Sequence, residues 1–318
     1  MISFIIIGRN IENTIAKCVE SVIRFVENNN IVAYEIIYVD SASKDKTIEI
    51  ARKYPIKIFQ IIGQVNAAIG RNVGAKKAIG DILFFIDGDM EILSDFYPIA
   101  FGKNSNELKY SFSSGTLVHK HYNSDFEYLY SSKDKNPQEP VFNNTTGGLF
   151  IIEKKMWQNL NGMDERLIRN QDIDFGLRMS KTGIPVKLYN HQLAVHHTVN
   201  YFDNKRVSNF YFTKALFSTG LLMRKHLFYS AYLRRYRNNL FYVIILFISF
   251  CMLAIETKYG IAMLFLYLFI QLGRTIKNFM QEKLTINSFV FKSLFSFYTL
   301  FGFLFYYPKV PKYKISEV

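Results

Sequence analysis

The first part of the chain alternates between continuous apolar runs and segments with helical hydrophobic spacing. Four apolar runs predict buried strands, namely Ile2–Ile7, Tyr34–Val39, Lys57–Ile62 and Ile82–Ile86. Helical spacing follows the first strand and predicts one buried face, formed by Ile15, Val19, Val22, Ile23 and Val26. Because strands that alternate with helices imply right-handed crossovers, the pattern predicts an α/β fold with a mostly parallel central sheet flanked by helices.

Two further helices are predicted in this half. Ser43 and Asp45 are candidate caps for a helix that runs toward Tyr54. An alanine-rich helix is expected over Val65–Ile79, before the fourth strand. Both helices would connect neighbouring parallel strands.

Polar residues follow three of the strands directly. Gly8-Arg9-Asn10 ends the first strand, Asp40 ends the second, and Asp87-Gly88-Asp89 ends the fourth. We expect these groups to converge, because ligands collect at the carboxyl edge of a parallel sheet. An isolated Asp-Gly-Asp is usually a turn, but this position favours a divalent cation held against a diphosphate. Arg71 is either a phosphate-facing charge or a solvated surface residue.

Three apolar stretches occupy the last third of the chain: Leu240–Ile255, Ile261–Gly273 and Asn287–Tyr307. The first two contain 16 and 13 residues, against roughly 20 for a simple membrane crossing. The short polar segment between them predicts a tight helical hairpin. Membrane helices are favoured over buried helices of a soluble domain, and the number of crossings stays open.

Charge is concentrated beside these apolar stretches. The 318-residue chain has a net charge of +13; residues 1–200 contain 23 Lys and Arg against 22 Asp and Glu, and residues 201–318 contain 16 against 4. Basic residues beside apolar helices favour contact with anionic membrane lipids over nucleic acid, and they place the first half on the cytoplasmic side of the cell membrane. No secretory signal opens the sequence. Cys18 and Cys251 lie in unrelated contexts, so no disulfide is expected.

Seven motifs occur in a fixed order: Ser3–Asn10, Val39–Thr47, Gly70–Gly74, Phe85–Asp89, Gly147-Gly148, Gly162–Glu165 and Gln171–Arg178. Each motif alone is weak, but the ordered set resembles a family-2 glycosyltransferase of the GT-A fold. The resemblance covers residues 2–200 and points to the membrane-associated enzymes that build bacterial cell-surface polysaccharides and lipid-linked glycans. It predicts a catalytic domain at 1–200, with a nucleotide-binding half at 1–91 and an acceptor half at 92–200. Basic aromatic juxtamembrane helices would follow at 201–239, and an apolar helical membrane region at 240–318.

The resemblance implies roles for the residues at the strand ends. Asp89 would be the direct ligand of Mg²⁺ or Mn²⁺, and Asp87 would lie nearer the ribose. Asp40 and Arg71 would lie on the base side of a nucleotide-sugar donor, with UDP favoured. The implied nucleotide-binding set is Gly8, Asn10, Asp40, Arg71 and Asp87.

In this resemblance, the acceptor half of the catalytic domain supplies the general base and the residues on the acceptor side. Asp172 corresponds to the general base, although Gln171 replaces the family's Glu, and losing that negative charge weakens the case for a raised carboxylate pKa. Asp172 and Asp174 are alternatively helix-starting charges. Of the pair His196 and His197, His196 is the candidate second metal ligand, although paired histidines are often structural. The implied acceptor-side residues are Gly147, Gly148 and Asp174.

The resemblance thus predicts an inverting transferase that moves a sugar to a hydroxyl of a saccharide or lipid-linked acceptor. A processive polysaccharide synthase is the first alternative, but its Gln-x-x-Arg-Trp motif is absent, since the only tryptophan, Trp157, precedes Asp172. A non-enzymatic membrane module that binds sugar nucleotides is the second; it would tolerate loss of Asp89 or Asp172, yet both are present. The segment Leu93–Asn144 carries no recognisable motif.

Overall fold

The computed structural model describes residues 1–102, 107–134, 141–143, 145–200, 213–282 and 286–318. The chain forms two compact units. The first, here called the sheet unit, comprises Met1–Asn209 together with Lys309–Val318. The second, the helical unit, comprises Phe210–Pro308.

Four parallel strands form the first half of the sheet: β1 (Ile2–Gly8), β2 (Tyr34–Asp40), β3 (Lys57–Gly63) and β4 (Ile82–Asp87). They lie in the order β3-β2-β1-β4. Gly8 is paired with Asp40 and Ile7 with Asp87, so the strand ends are level with one another. The predicted strands and their alignment at one edge are therefore confirmed.

Three helices connect these strands: α1 (Ile15–Asn28), α2 (Thr47–Ala51) and α3 (Ala67–Lys77). Alternate residues of β1 point to opposite faces. Phe4 and Ile6 pack in the core that contains α1, whereas Ile5 and Ile7 pack in the core that contains α3. The sheet is therefore covered on both faces, which explains why its central strands are largely apolar.

The second helix is shorter than the sequence pattern predicted. It ends at Ala51, and its N-cap residue is Lys46, which makes no side-chain capping bond. Asp45 does accept a hydrogen bond from the Thr47 N–H at 3.1 Å, but the Ser43 hydroxyl oxygen instead accepts one from the N–H of Asn10. Ser43 therefore joins two loops rather than starting the helix.

The remainder of the sheet unit contains β5 (Met90–Ile92), α4 (Tyr97–Ala100), β6 (Phe112–Tyr122), β7 (Tyr128–Lys133), β8 (Val141–Asn143), β9 (Phe150–Glu153), α5 (Lys154–Asn159), α6 (Gln171–Lys181) and β10 (Val186–Val199). Strand β9 is antiparallel to β4 and β6, whereas β6 and β10 are parallel. The sheet is thus mixed: the predicted parallel arrangement holds for β1 to β4 and for one later pair.

An aromatic cluster fixes the second half of the unit against β4. The Trp157 ring centroid lies 4.6 Å from that of Phe85 and 4.7 Å from that of Phe175, and Phe150 stacks on Phe85 at 4.7 Å. Such pairs contribute about 0.5–1.5 kcal/mol each beyond their buried area. Because Phe175 lies on α6, the cluster holds this helix relative to the strand that ends at Asp87.

The chain returns to the sheet at its C-terminal end. Strand β11 (Tyr313–Glu317) pairs antiparallel with β3, and the Tyr313 hydroxyl donates to Oε1 of Glu165 at 3.0 Å. The sequence analysis assigned 240–318 to the helical membrane region, but 309–318 belongs to the sheet unit. The reason is the alternation of Tyr313 and Ile315, whose side chains pack against the core on one face of the sheet.

The helical unit contains α7 (Phe217–His226), α8 (Ser230–Ile255), α9 (Thr257–Glu282) and α10 (Ile286–Phe305). The first two predicted apolar stretches lie within α8 and α9, which are separated by Glu256 alone. Within the described residues, Ser230–Ile255 and Thr257–Ile276 are long and apolar enough to cross a membrane, by length and composition. Lys292–Phe305 is a shorter apolar helix.

Candidate active site at the carboxyl edge of the sheet

A cleft of about 310 Å³ opens at the carboxyl ends of β1 and β4. The residues around it include Gly8, Ser41, Asn66, Asp87 and Asp89. Strand ends, the loop after β2 and the start of α3 therefore meet at one cleft. This is the position at which open α/β sheets bind their ligands.

The start of α3 is oriented toward this cleft by a turn from the second half of the unit. Gly162 has a φ of +65°, and the next residue, Met163, donates from its N–H to Oδ1 of Asn72 and accepts at its carbonyl from Nδ2 of Asn72, both at 2.9 Å. Asn66 caps α3 by accepting from the Ile69 N–H at 2.9 Å. The turn at Gly162–Glu165 thus holds a helix whose partly positive N-terminus suits a phosphate.

Arg71 reaches from α3 to the end of β4. Its Nη2 donates to Oδ1 of Asp87 at 2.6 Å, and its side chain is only 3% exposed. The Nε and Nη1 atoms are buried and have no hydrogen-bond partner among the described residues. Arg71 is therefore not a solvated surface residue, and it retains donors that a bound anion can use.

Asp87 has an unusual protonation equilibrium for a carboxylate. Desolvation by the surrounding protein raises the pKa of Asp87 to about 6, and the charges of Asp89 and Asp172 add to this while Arg71 and His196 oppose it. The charge of Asp172 is thus felt at Asp87. The two ends of the predicted site, the strand-end aspartates and the start of α6, are electrostatically coupled.

The glycine pair lies directly against Asp87. A Cβ atom at Gly148 would overlap the Asp87 carboxylate and approach Cε of Met90 to 3.0 Å. Gly147 has a φ of +65°, a left-handed conformation that favours glycine. Gly148 therefore leaves the space in which the Asp87 carboxylate lies, and the acceptor-side role of Gly147 and Gly148 stays a prediction.

Asp89 lies beside His196. The two strands β5 and β10 pair so that His196 is opposite Met90, which brings its Nε2 to 3.3 Å from Oδ2 of Asp89. Oδ1 of Asp89 is buried without a hydrogen-bond partner among the described residues. An imidazole nitrogen and an unsatisfied carboxylate oxygen thus meet at the cleft.

His197 is held in a different environment. Its Nε2 lies 2.5 Å from Oε1 of Glu91, and its Nδ1 lies 2.8 Å from the Tyr122 hydroxyl. Burial lowers the pKa of His197, with the neighbouring Glu91 opposing the shift. Of the two histidines, only His196 is placed at the Asp89 carboxylate, whereas the His197 ring is buried against Glu91 and Tyr122.

The residues present fit a hard divalent cation that is shared with a substrate. Asp89 offers a buried oxygen without a partner, and His196 offers an imidazole nitrogen beside it. Among the described residues no group of three or more His, Cys, Asp or Glu side chains is arranged to hold a metal ion. Two protein ligands leave most coordination positions to waters and phosphate oxygens, which is how Mg²⁺ is commonly bound.

Asp40 is buried and organises the loop that follows β2. Its carboxylate accepts from the Tyr38 hydroxyl at 3.0 Å, from the Ser43 N–H at 2.9 Å and from Nε2 of Gln60 at 3.3 Å. Asn10, with a φ of +53°, accepts at Oδ1 from the Lys44 N–H. These bonds fix the loops after β1 and β2 relative to each other beside the cleft. The predicted contact of Asp40 with a base stays a prediction.

Asp172 lies in the first turn of α6, as predicted. Its Oδ2 accepts from the Thr145 hydroxyl at 3.2 Å. The adjacent Gln171 has a buried Oε1 without a hydrogen-bond partner among the described residues. The Asp172 carboxylate is therefore held by a neutral donor, the Thr145 hydroxyl, and its role as general base stays a prediction.

Asp174 is placed differently from Asp172. Its side chain is fully buried, and its Oδ2 accepts from Nε of Arg178 at 2.8 Å. Arg178 also donates to the carbonyls of Leu160 and Gly162 at 2.8 and 2.7 Å. Asp174 thus supports, through Arg178, the turn that holds α3, and its acceptor-side role stays a prediction.

Two further polar residues, not among the predicted site residues, connect to His196. His119 on β6 lies 3.0 Å from His196, measured between their Nδ1 atoms, and Asp134 lies 3.1 Å from the other ring nitrogen of His119. Both fall in the segment without recognisable motifs. The alternation His119, Lys120, His121 on one strand was the available signal, since it places both histidines on the same face.

Residues 3–156 match the sequence model of glycosyl transferase family 2. An uncharacterized glycosyltransferase of Haemophilus influenzae is 26% identical over 191 residues, which cover 56% of this chain and 62% of the relative. A 4,4'-diaponeurosporenoate glycosyltransferase of Staphylococcus haemolyticus is 33% identical over 97 residues, or 29% of this chain and 24% of the relative. The chain thus spans less than two thirds of either relative.

Among solved structures, S. aureus TarS residues 1–349 in complex with UDP-GlcNAc is similar to this chain. The TM-score is 0.46 at 16% sequence identity, and the match covers 70% of this chain and 65% of the other. The complex of the same fragment with UDP gives a TM-score of 0.45 at 15% identity.

Proposed function

We propose that this chain, whose residues 3–156 match glycosyltransferase family 2 and whose mixed α/β sheet is that expected of the GT-A fold, transfers a sugar from a nucleotide-diphosphate sugar to an acceptor hydroxyl with inversion. The observation that carries this proposal is the pairing of Asp89 with His196 at the cleft where Arg71 and Asp87 meet. The candidate metal ligands, Asp89 and His196, and the buried guanidinium of Arg71 would thereby flank the departing diphosphate.

The donor would bind along the carboxyl edge of β1 and β4. Arg71 and the N-terminus of α3 supply positive charge to the phosphates, and Asp87 would accept hydrogen bonds from the ribose hydroxyls. The loops fixed by Asn10 and Asp40 would border the base. UDP is the favoured nucleotide, as the family resemblance around Asp40 implies.

A Mg²⁺ or Mn²⁺ ion, when bound, would neutralise charge on the departing diphosphate as a Lewis acid. Asp89 would hold it through a carboxylate oxygen and His196 through Nε2. Because the protein offers few ligands, we expect the metal to bind tightly only together with the nucleotide.

Asp172 would act as the general base. Its carboxylate takes the proton of the acceptor hydroxyl while the acceptor oxygen forms a bond to the anomeric carbon. The bond between that carbon and the phosphate oxygen breaks, and its electron pair leaves with the diphosphate. Attack opposite the leaving group inverts the configuration, and Thr145 keeps the carboxylate of Asp172 oriented.

The proposed acceptor class and cellular location rest on the two candidate membrane helices. Two candidate membrane-spanning helices flanked by basic residues suit attachment to the cell membrane, with the sheet unit on the cytoplasmic side. A lipid-linked or polysaccharide acceptor in cell-envelope synthesis is the substrate class that such an enzyme meets there. A processive synthase is less favoured, because the Gln-x-x-Arg-Trp motif is absent.

A nucleotide-sugar screen tests the proposal. The full chain in detergent micelles would be incubated with Mn²⁺ and each of a panel of UDP-, GDP-, dTDP- and CMP-sugars, and release of the nucleotide would be measured. We expect one UDP-sugar to be turned over, EDTA to stop the release, and Asp89→Asn to abolish it.

Asp81→Asn is the matched control, because Asp81 is 91% exposed and lies away from the cleft. It should leave turnover unchanged. Turnover that persists in EDTA would refute the metal assignment, and no turnover or thermal stabilisation with any nucleotide sugar would refute the donor class.

A further inference from the structure

Four side chains form an unbroken chain of polar contacts that ends at the candidate metal ligand. Nε2 of His196 lies 3.3 Å from Asp89, Nδ1 of His196 lies 3.0 Å from Nδ1 of His119, and Nε2 of His119 lies 3.1 Å from Oδ1 of Asp134. Strands β6 and β10 create this chain, because their parallel register pairs His119 with His196.

A cation at Asp89 permits only one distribution of protons along this chain. A neutral imidazole carries one N–H, so a metal on Nε2 of His196 requires its proton to be on Nδ1. That N–H can donate only if Nδ1 of His119 is an acceptor, which places the proton of His119 on Nε2. Nε2 then donates to Asp134, and a carboxylate is the acceptor that this position needs. Every link is satisfied.

We propose that His119 and Asp134 are positioning residues that hold His196 as the Nδ1-protonated tautomer, with its Nε2 lone pair toward a divalent cation on Asp89. This rests on the metal-assisted transfer proposed above. Partners of this kind, which fix the tautomer of a ligating imidazole, commonly contribute 10- to 100-fold in metal affinity.

Asp134 is built to remain an acceptor in this chain. Its second oxygen, Oδ2, accepts from the Leu117 N–H at 2.9 Å, which ties the residue to β6. Partial burial would raise the pKa of Asp134, but the hydrogen bonds from His119 and Leu117 lower it below the ordinary value. The carboxylate is thus ionised at neutral pH and fixed beside the histidine.

His121 provides an internal comparison on the same strand. It is two residues from His119 and on the same face, yet its Nε2 lies 2.9 Å from the Ser132 hydroxyl and not on the chain to Asp89. His121 therefore lies on the same strand and face as His119 but has no proposed role at the metal, so it serves as the control position.

Metal affinity is the first test. Free Mn²⁺ would be followed by electron paramagnetic resonance as it is titrated with the full chain in the presence of UDP. We expect His119→Ala to weaken Mn²⁺ binding by about 10- to 100-fold, and His119→Asn to restore most of the affinity, because an amide oxygen can replace Nδ1 as acceptor. His121→Ala should have no effect. Unchanged affinity in His119→Ala would overturn the proposal.

The tautomers give a second readout that does not depend on affinity or activity. The chain has six histidines, so ¹⁵N-histidine labelling would resolve their ring protonation in the Mg²⁺–UDP complex. We expect an N–H on Nδ1 of His196 and on Nε2 of His119. The opposite tautomer at either ring would overturn the proposal. Because the measurement uses the unaltered protein, it remains decisive even if His119→Ala fails to fold.

Failure of this inference can be told from failure of the proposed function. If Asp89→Asn lowers Mn²⁺ affinity but His119→Ala does not, the metal site stands and the positioning role is wrong. If neither variant changes Mn²⁺ affinity, the metal assignment itself is wrong.

An independent observation concerns the number of membrane crossings. The chain leaves the sheet unit after Asn209 and rejoins it at Lys309, and β11 is an integral strand of the sheet. A segment whose two ends return to one folded body cannot end on the other side of a bilayer. If the helical unit enters the membrane, as proposed above, it must cross an even number of times.

An even number of crossings can be assigned to particular helices of the helical unit. We infer that α8 and α9 cross as a hairpin and that α10 does not cross. Arg274 of α9 donates to Oδ1 of Asn239 of α8 at 3.2 Å, so the two helices contact each other as the arms of a hairpin would. A third crossing by α10 would make the number of crossings odd, which the return of the chain to β3 excludes.

Cysteine labelling in intact cells tests this arrangement. In a Cys251→Ser background, Lys258→Cys marks the hairpin turn, Lys309→Cys marks the return to the sheet, and Lys53→Cys marks the sheet unit. A membrane-impermeant maleimide should label Lys258→Cys in intact spheroplasts and the other two only after permeabilisation. Labelling of Lys309→Cys without Lys53→Cys, or protection of Lys258→Cys, would overturn the inference.

Discussion

Arg71 donates from Nη2 to Oδ1 of Asp87 over 2.6 Å, and this ion pair joins α3 to the end of β4 at the candidate donor site. The arginine keeps two buried donor atoms without partners among the described residues. A planar guanidinium can therefore bind Asp87 and an anionic ligand at the same time, which an ammonium group cannot do in the same geometry.

Arg71→Lys should lower the affinity for the nucleotide while retaining the charge. Loss of one charge-assisted hydrogen bond corresponds to about 1.5–3 kcal/mol, or roughly 10- to 100-fold in Kd. Isothermal titration with UDP and Mn²⁺ would measure it. Arg166→Lys is the matched control, since Arg166 pairs with Asp164 on an exposed turn; equal losses in both variants would contradict a specific role for Arg71.

Gly148→Ala should impair donor binding through Asp87. The new methyl group would overlap the Asp87 carboxylate, so that side chain must move and its bond to Arg71 must lengthen. We expect about a tenfold or greater loss of UDP affinity, the size of one lost charge-assisted bond. Gly273→Ala, where a Cβ has no neighbour within 4 Å, should leave UDP affinity unchanged. Wild-type affinity in Gly148→Ala would show that Asp87 does not contribute.

Asp172→Asn should separate chemistry from binding. A general base contributes about 10²- to 10⁴-fold, so kcat for transfer should fall by that amount while the Kd for UDP is retained. Asp174→Asn, two residues further along α6, should instead lower the thermal stability of the sheet unit, because it breaks the buried pair with Arg178. If Asp172→Asn keeps its kcat, the proton must go to another group.

Glu35 should make stability depend on pH in the acidic range. Its side chain is buried and accepts from the Ser3 hydroxyl, the Ile79 N–H and Nζ of Lys57 at 2.7, 2.6 and 2.9 Å. Burial alone would raise the pKa of Glu35, but these donors lower it below the ordinary value. Its stabilising contribution is therefore complete above the unfolded pKa of about 4.3 and is lost as pH falls through the folded pKa.

Glu35→Gln should reduce the free energy of unfolding by about 1–3 kcal/mol at pH 7, and the difference from wild type should shrink below about pH 4. Fluorescence of Trp157 would follow it, since the single tryptophan lies in the core of the sheet unit. Glu27→Gln, at an exposed position on α1, is the control. A difference that grows as the pH falls would contradict the assignment.

Several parts of the site could be predicted from particular residues. The run Ile82–Ile86 is apolar at every position, and Ile2–Ile7 is interrupted only by Ser3. Such runs are typical of strands covered on both faces, so the parallel sheet and its polar strand ends could be predicted. Asp172 could be placed at the start of a helix because the acidic motif Gln171–Arg178 opens a helix in the family that the chain resembles. The different environments of Asp172 and Asp174 could not be predicted. The buried position of Asp174 depends on Arg178, which is held by the carbonyls of a turn outside the motif.

The sequence by itself determined the α/β class, the edge at which Asp87 and Asp89 lie, and the apolar character of α8 and α9, because these depend on local periodicity and on the direction of successive strands. Only the tertiary structure decided which histidine meets Asp89, that His119 and Asp134 continue the same chain, and that residues 313–317 return to β3. Those relations depend on strand pairing between segments far apart in sequence. A shift of one residue in the pairing of β6, β10 and β5 would replace His196 by its neighbour, and no local pattern in the chain records that register.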